Sequence, residues 1–297
     1  MAAKKRTHRF GGSWTDQKLD VLEQYLSAYT TALQNAKFKK GYIDAFAGSG
    51  YREAKGTTKI VLPDLLDEEP QTLLEGSARR ALRVEPRFDG YVFIESHAGR
   101  RAALESMKNE FPEQANQIQI RGGDANQQLQ SICELSWAER RAVLFLDPYG
   151  MQVEWSTITA VAETRSIDMW LLFPLGIGVN RLLKRDADIP AAWRERLTAL
   201  LGTESWFDEF YAAEAAINLF GDDATRIVKK ATTETTGKYF VDRLRTVFTA
   251  VADAPLVLTN SRGCPLYLLC FAAGNPRGAP IALKIANYLL SSKTAWD

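Results

Sequence analysis

The sequence predicts an α/β fold built on one mostly parallel sheet, and three observations predict it. Short apolar runs alternate with amphipathic helical stretches from residue 41 to residue 176. Each run is apolar throughout rather than at every second position, which marks strands covered on both faces. Near the end, PLVLTN (255–260) and PLYLLCFAAGN (265–275) are joined only by Ser261-Arg262-Gly263-Cys264. That link is too short for a parallel crossover, so the pair is an antiparallel hairpin. The prediction is seven strands, the last two a hairpin, in a single domain over 1–297. Two insertions interrupt it, an irregular one at 51–75 and a helical one at 180–230.

The elements follow in order. Leu19, Leu22, Leu26, Tyr29 and Leu33 recur at helical spacing, and Ser13 with Asp16 resembles a capped start, so 14–33 is a helix. GYIDAFAGSG (41–50) is a strand running into a glycine turn, and Ser77 is a plausible N-cap for the helix SARRALRV. Strands at 91–96, 118–124, 141–150 and 168–176 then alternate with helices at 98–111, 125–135 and 154–164. Pro112 ends the first of these helices. AAWRERLTALLG and SWFDEFYAAEAAINLFG give the second insertion its helical reading, and further helices cover 236–248 and 279–290.

Composition narrows the function. Hydrophobic residues make up 46% and charged residues 25% of the 297, an ordinary globular balance. Lys plus Arg number 37 and Asp plus Glu 36, so purely electrostatic binding of nucleic acid is disfavoured, although a local basic face is allowed. Cys133, Cys264 and Cys270 are too scattered for a disulfide framework or thiolate metal site, and His8 and His97 are the only histidines. No metal is expected. No apolar run reaches a membrane span, and the basic start MAAKKRTHRFGG lacks the apolar stretch of a signal peptide. The expectation is a cytoplasmic protein.

Acidic residues gather where strands end. Asp44-Ala45-Phe46-Ala47-Gly48-Ser49-Gly50 closes the first strand, at the edge where open α/β sheets bind ligands. Gly48 and Gly50 let backbone approach a ligand, or simply make a tight turn. The lysine of a phosphate-binding P-loop is missing. Glu95 ends the second strand, where a carboxylate can accept from both hydroxyls of a ribose or merely be solvated. Asp124, inside Gly122-Gly123-Asp124-Ala125-Asn126, can accept from an adenine amino group or cap the next helix. Asp147-Pro148-Tyr149-Gly150 ends the fourth strand. An Asp side chain with the Pro148 carbonyl can orient an exocyclic amine, and Tyr149 can stack on a base; otherwise this is a proline turn with a packed tyrosine. Asn180 and Arg181, beyond the fifth strand, are candidate substrate contacts. Lys4, Lys5, Arg6, His8 and Arg9 form a basic arm that can contact phosphates or remain solvated.

DAFAGSG, FIES, GGDAN and FLDPYG, in this order, resemble the cofactor-binding and catalytic motifs of class I amino-methyltransferases, with a Rossmann-like sheet. The Gly76-Ser77 segment resembles the layout of bacterial ribosomal-RNA adenine-N6 methyltransferases. More closely, the chain resembles the three-Cys-motif partner (TcmP) family over about residues 8–290. HRFGGSWT, YIDAFAGSGYR, EGSARRAL, FLDPYGMQVEW, LLFPLG and SRGCPLYLLCFAAGNPRGAPIALKIA carry this similarity. The resemblance implies a methyltransferase-fold protein paired with a radical-SAM-like protein that bears the three cysteines. Asp-Pro-Tyr-Gly departs from the Asp-Pro-Pro-aromatic pattern of adenine enzymes and is similar to that of tRNA guanine-N2 dimethyltransferases.

The leading expectation is methyl transfer from S-adenosyl-L-methionine to an amino group of a nucleic-acid base, RNA or DNA. Asp44, Phe46, Gly48 and Gly50 would cradle the methionine end, Glu95 the ribose and Asp124 the adenine. Asp147, Pro148 and Tyr149 would serve the amine. The alternative is a non-catalytic, cofactor-binding accessory module for the radical-SAM-like partner. A hydride-transferring enzyme is disfavoured by the hairpin and by the absence of GxGxxG.

Overall fold

A computed structural model describes residues 13–47, 76–217 and 223–294. The predicted insertion at 51–75 and the basic arm at 4–9 lie outside the described residues.

Helix α1 (Ser13–Ala32) leads into strand β1 (Lys39–Asp44). Then come α2 (Ser77–Arg83), β2 (Gly90–Ile94), α3 (Ala98–Glu110), β3 (Ile118–Arg121), α4 (Ala125–Cys133), β4 (Arg140–Leu146), α5 (Trp155–Glu163) and β5 (Ile167–Phe173). A π-turn over Leu175–Val179 runs into the short α6 (Asn180–Leu182). Helices α7 (Ala191–Leu201) and α8 (Trp206–Phe210) precede strands β6 (Tyr211–Ile217) and β7 (Asp223–Lys229). The chain continues with α9 (Thr233–Arg245), β8 (Ala250–Val251), β9 (Leu256–Thr259), β10 (Pro265–Ala273) and α10 (Ala279–Thr294).

The main sheet runs β3-β2-β1-β4-β5-β10, with β8 and β9 both on the outer side of β10, and has eight strands rather than the seven predicted. The extra one, β8, pairs through only Ala272 and Ala273 of β10, too short a strand to leave a sequence pattern. Strands β1 to β5 are mutually parallel. Strand β10 runs antiparallel to β5 and to β9, which is the predicted hairpin. Among the described residues this is the α/β, Rossmann-like arrangement with antiparallel final strands.

Two apolar layers explain the uniformly apolar strands. Alternate residues point to opposite faces. Ile43, Leu144, Leu146, Met169 and Leu171 pack under α4, α5, α7 and α9. Tyr42, Val143, Phe145, Trp170 and Leu172 pack under α1, α2, α3 and α10. The second layer is rich in rings: Trp170 meets Tyr25 at 5.2 Å and Phe271 at 4.8 Å between centroids. Tyr25 also donates to the buried Asp168 at 2.9 Å, and the Gly274 N–H donates to the same carboxylate at 3.2 Å. The satisfied carboxylate at the start of β5 thus ties α1 to the sheet.

The helical reading of 180–230 is corrected. Helices occupy 191–201 and 206–210, but β6 and β7 form a separate antiparallel pair, from Tyr211↔Lys229 to Ile217↔Asp223. YAAEAAI reads as helix because alanine has the highest helix propensity. Its partner DATRIVK carries Thr225, Ile227 and Val228, β-branched residues that favour the extended state, and pairing overrides local preference. Tyr211 anchors the pair, buried in the core and stacked on Phe207 at 4.8 Å. Helix α9 also begins three residues earlier than predicted, because Thr232 and Thr235 form a reciprocal capping box.

Candidate active site

The order of the strands reverses between β1 and β4, whose neighbours continue in opposite directions. Ligands of open α/β sheets bind outside the carboxyl ends of the strands at such a point. Asp44 ends β1 and Asp147 follows β4, and the register pairs Asp44 with Phe145. Alternation then decides which way these acids face. Asp44 is two residues from Tyr42 and Asp147 two from Phe145, and both aromatics face α1 and α2.

On that side the structure assembles a buried polar cluster. Asp44 is fully buried and accepts from Ser77 Oγ at 2.5 Å, Tyr42 Oη at 3.3 Å and the Phe46 N–H at 3.2 Å. Lys18 reaches down from α1 and donates to Asp147 Oδ2 at 2.8 Å, its side chain only 5% exposed. The ammonium also lies 4.8 Å from the centre of the Trp14 ring. Burial, reinforced by the nearby Asp147 charge, pushes the Asp44 carboxyl from 3.8 up to about 7, against the lowering effect of its three hydrogen bonds.

A pH dependence follows. The folded chain holds a proton on Asp44 that the unfolded chain has already lost between about pH 4 and 7. Stability therefore falls as pH rises through that window and levels off above it. Asp168, raised to about 6 chiefly by burial, adds a loss of the same sign at lower pH. Urea midpoints measured from about pH 4 to 8 should show this decline, and Asp44→Asn should flatten its upper part. An unchanged slope in the variant would mean that Asp44 ionises near its ordinary value.

Glu95 is 5% exposed at the end of β2 and accepts from the His97 N–H at 2.7 Å, with the Arg100 guanidinium 3.6 Å from its other oxygen. Arg101 braces the same turn by donating to the carbonyls of Glu95 and Ser96 at 3.1 and 2.5 Å. This is a held, buried carboxylate and corrects the solvated alternative. Asp124 is exposed and accepts from the Gln127 N–H at 3.1 Å, so it caps α4. Neighbouring Asn126 is structural: it donates to the Gln152 carbonyl and accepts from the Glu154 N–H and Thr157 Oγ1.

Pro148 is buried, while Tyr149 is 45% exposed and Gly150 takes φ +81. The alternative of a packed tyrosine is therefore corrected: the ring stands at the rim, where stacking on a ligand is open to it. Phe46 is half-buried against the α4–α5 layer, and Gly48 and Gly50 lie outside the described residues. Asn180 does not serve as a free substrate contact. It donates to Thr233 Oγ1 at 3.1 Å and accepts from Thr236 at 3.3 Å, fastening α6 to α9, whereas Arg181 is exposed.

Ser77 does not cap its helix; Gly76 precedes α2 without a side-chain cap, and the Ser77 hydroxyl serves Asp44 instead. Sequence reasoning also missed Lys18, although a signal existed. Lys18 sits one turn before Leu22 on the buried stripe of α1, and a lysine there demands an anionic partner. Among the described residues no cluster of His, Cys, Asp and Glu suits a metal ion, and no helix is long and apolar enough to cross a membrane.

No family model and no curated protein sequence matches the chain. Among solved structures it is similar to a Legionella pneumophila protein of family model DUF519, with TM-score 0.47 and 14% identity, over 97% of this chain and 94% of that one. The O-methyltransferase TomG of Streptomyces achromogenes, in complex with SAM, is similar at TM-score 0.36 and 10% identity, over 74% of this chain and 90% of that one. A putative methyltransferase of Escherichia coli is similar at TM-score 0.30 and 13% identity, over 69% and 84% of the two chains.

Proposed function

We propose that this chain is an S-adenosyl-L-methionine-dependent methyltransferase that acts on an amino group of a nucleic-acid base. The observation that carries the reading is the pair of acids, Asp44 and Asp147, at the point of strand reversal, with Lys18 holding the second. Burial raises the Asp44 carboxyl and the nearby Asp147 charge adds to it, so a cation placed beside the two acids is favoured. A cofactor bearing a sulfonium and an ammonium fits that demand. When bound, it would supply an electrophilic methyl group.

The residues divide the work. Asp44 offers a carboxylate to the cationic methionine end, with Phe46 beside it, and Gly48 and Gly50 complete that turn in sequence. Glu95 accepts from ribose hydroxyls and Asp124, at the mouth of α4, is placed in sequence for the adenine. Asp147 accepts a hydrogen from the substrate amine beside Lys18, which fixes the carboxylate in one orientation. The Pro148 carbonyl offers a second acceptor, and the lone pair of the nitrogen is thereby aimed at the methyl group. Displacement of this kind depends on alignment more than on acid–base chemistry. Tyr149 stacks on the base. The resemblance to the TcmP family adds a radical-SAM-like partner to the proposal, and the scattered cysteines add a cytoplasmic setting.

Calorimetric titration with S-adenosylmethionine and S-adenosylhomocysteine tests the reading. Glu95→Ala removes two charge-assisted hydrogen bonds to ribose, together about 3 kcal/mol, and should weaken binding roughly a hundredfold. Methyl acceptance by tRNA, rRNA and DNA is then the activity to assay. A folded protein that binds neither cofactor form would sink the enzymatic reading.

A further inference from the structure

The insertion brings three cations together at one corner. Tyr211 and Lys229 face each other at the root of the β6–β7 pair. The Tyr211 hydroxyl donates to the Lys184 carbonyl at 2.8 Å, and the Lys229 N–H donates to the Arg185 carbonyl at 3.0 Å. These two bonds clamp residues 184–185 against the root of the pair, so Lys184, Arg185 and Lys229 share one corner. Arg185 is exposed, while Lys184 and Lys229 are half-buried. Burial and the neighbouring Arg185 charge together hold the Lys229 ammonium below its usual value. Like charges held together in this way destabilise the corner until an anion joins them.

One acid lies near: Asp186 accepts from the Asp188 N–H at 3.2 Å and its charge reaches the Tyr211 phenol, offsetting part of the positive charge of the corner. Among the described residues, the ion pair of this arm joins Arg226 to Glu214, further along the strands.

The corner follows in the chain from a turn that rests on the rim of the site. The π-turn after β5 rests on the loop after β4: a Cβ built on Gly178 would lie 3.1 Å from Met151 Cγ, four residues beyond Asp147. Arg181 and the 184–185 segment follow that turn directly. A polyanion crossing the corner therefore reaches the mouth where Tyr149 is exposed.

We infer that Lys184, Arg185 and Lys229 form a phosphate-binding corner that holds the backbone of a nucleic acid whose base enters the site beside Asp147. This rests on the function proposed above and adds to it the surface that grips the substrate. Phosphate contacts of this kind supply affinity and register without reading sequence.

Binding of a fluorescent single-stranded oligonucleotide, followed by anisotropy over a salt series, tests it. Arg185→Gln/Lys229→Gln should bind roughly tenfold more weakly, and its plot of log affinity against log salt should be shallower by about 1.4, or 0.7 per lost phosphate contact. Arg226→Gln removes a charge outside the corner and should change neither quantity. If the double variant fails to fold, Lys184→Gln/Arg185→Gln, confined to the connecting segment, makes the same comparison. An unchanged slope in a variant that still binds S-adenosylmethionine would overturn the corner and leave the methyltransferase reading standing. A lost slope in a chain that binds no cofactor would do the reverse. Displacement by polyglutamate as readily as by unlabelled DNA would also overturn it, in favour of an acidic protein partner.

Discussion

Asp147→Ala is expected to lower folding stability by about 3–5 kcal/mol, because it takes the carboxylate away from a buried ammonium. Lys18 is 5% exposed in its side chain and its ammonium lies 4.8 Å from the centre of the Trp14 ring, so little solvent reaches its charge. Urea denaturation should show the loss in the midpoint at a constant slope. Adding Lys18→Met in the same background should return most of it, since a buried pair replaced by apolar groups is often neutral. Asp147→Asn keeps an acceptor oxygen and should fall between. Under the function proposed here, Asp147→Ala also abolishes methyl transfer, even in the Lys18→Met background where stability is regained. A loss under about 1 kcal/mol would show that the ammonium is well solvated without Asp147.

Gly202→Ala should lose roughly 3 kcal/mol for two separable reasons. Gly202 ends α7 at φ +71, a left-handed conformation that side chains avoid. A Cβ there would also come within 2.1 Å of Trp155 Cδ1 and Cγ. Trp155 cannot easily retreat: Arg243 lies 4.5 Å over its ring and Phe240 meets it edge-on at 6.4 Å. Gly150 provides the contrast. It has φ +81 but open space around its Cβ position, so Gly150→Ala should cost only about 1 kcal/mol. Equal losses in thermal or urea unfolding would show that the Trp155 contact adds nothing.

The parallel strands were legible chiefly where burial on both faces leaves a continuous apolar run, as AVLFL at 142–146 shows. The hairpin was legible because four residues cannot carry a crossover. Acids at strand ends were legible too, since Asp44, Glu95 and Asp147 each break an apolar run. What they touch was not. Ser77 and Asp44 are 33 residues apart and Lys18 and Asp147 are 129 apart, and such partnerships depend on how α1 and α2 lie across the sheet. Lysine at position 18 went unnoticed although it lies on the buried stripe of α1. The β6–β7 pair was missed because alanine-rich segments take their state from a partner strand, and pairing partners leave no periodicity in a single segment.

The seating of α1 has a consequence for how the molecule is made. Helix α1 packs against α10, and Leu22, Tyr25 and Leu26 share one apolar layer with Ala282, Ala286 and Leu289. On a ribosome, residues 13–32 emerge long before residues 279–294 exist. At about 5–20 residues per second, α1 waits on the order of ten to fifty seconds for that support. Until then the part of its apolar stripe that faces α10 is open to chaperones or to premature pairing with other chains. The contact between Lys18 and Asp147 thus depends on a helix whose support from α10 is made last, and a nascent chain would hold its parallel strands before that seat is complete.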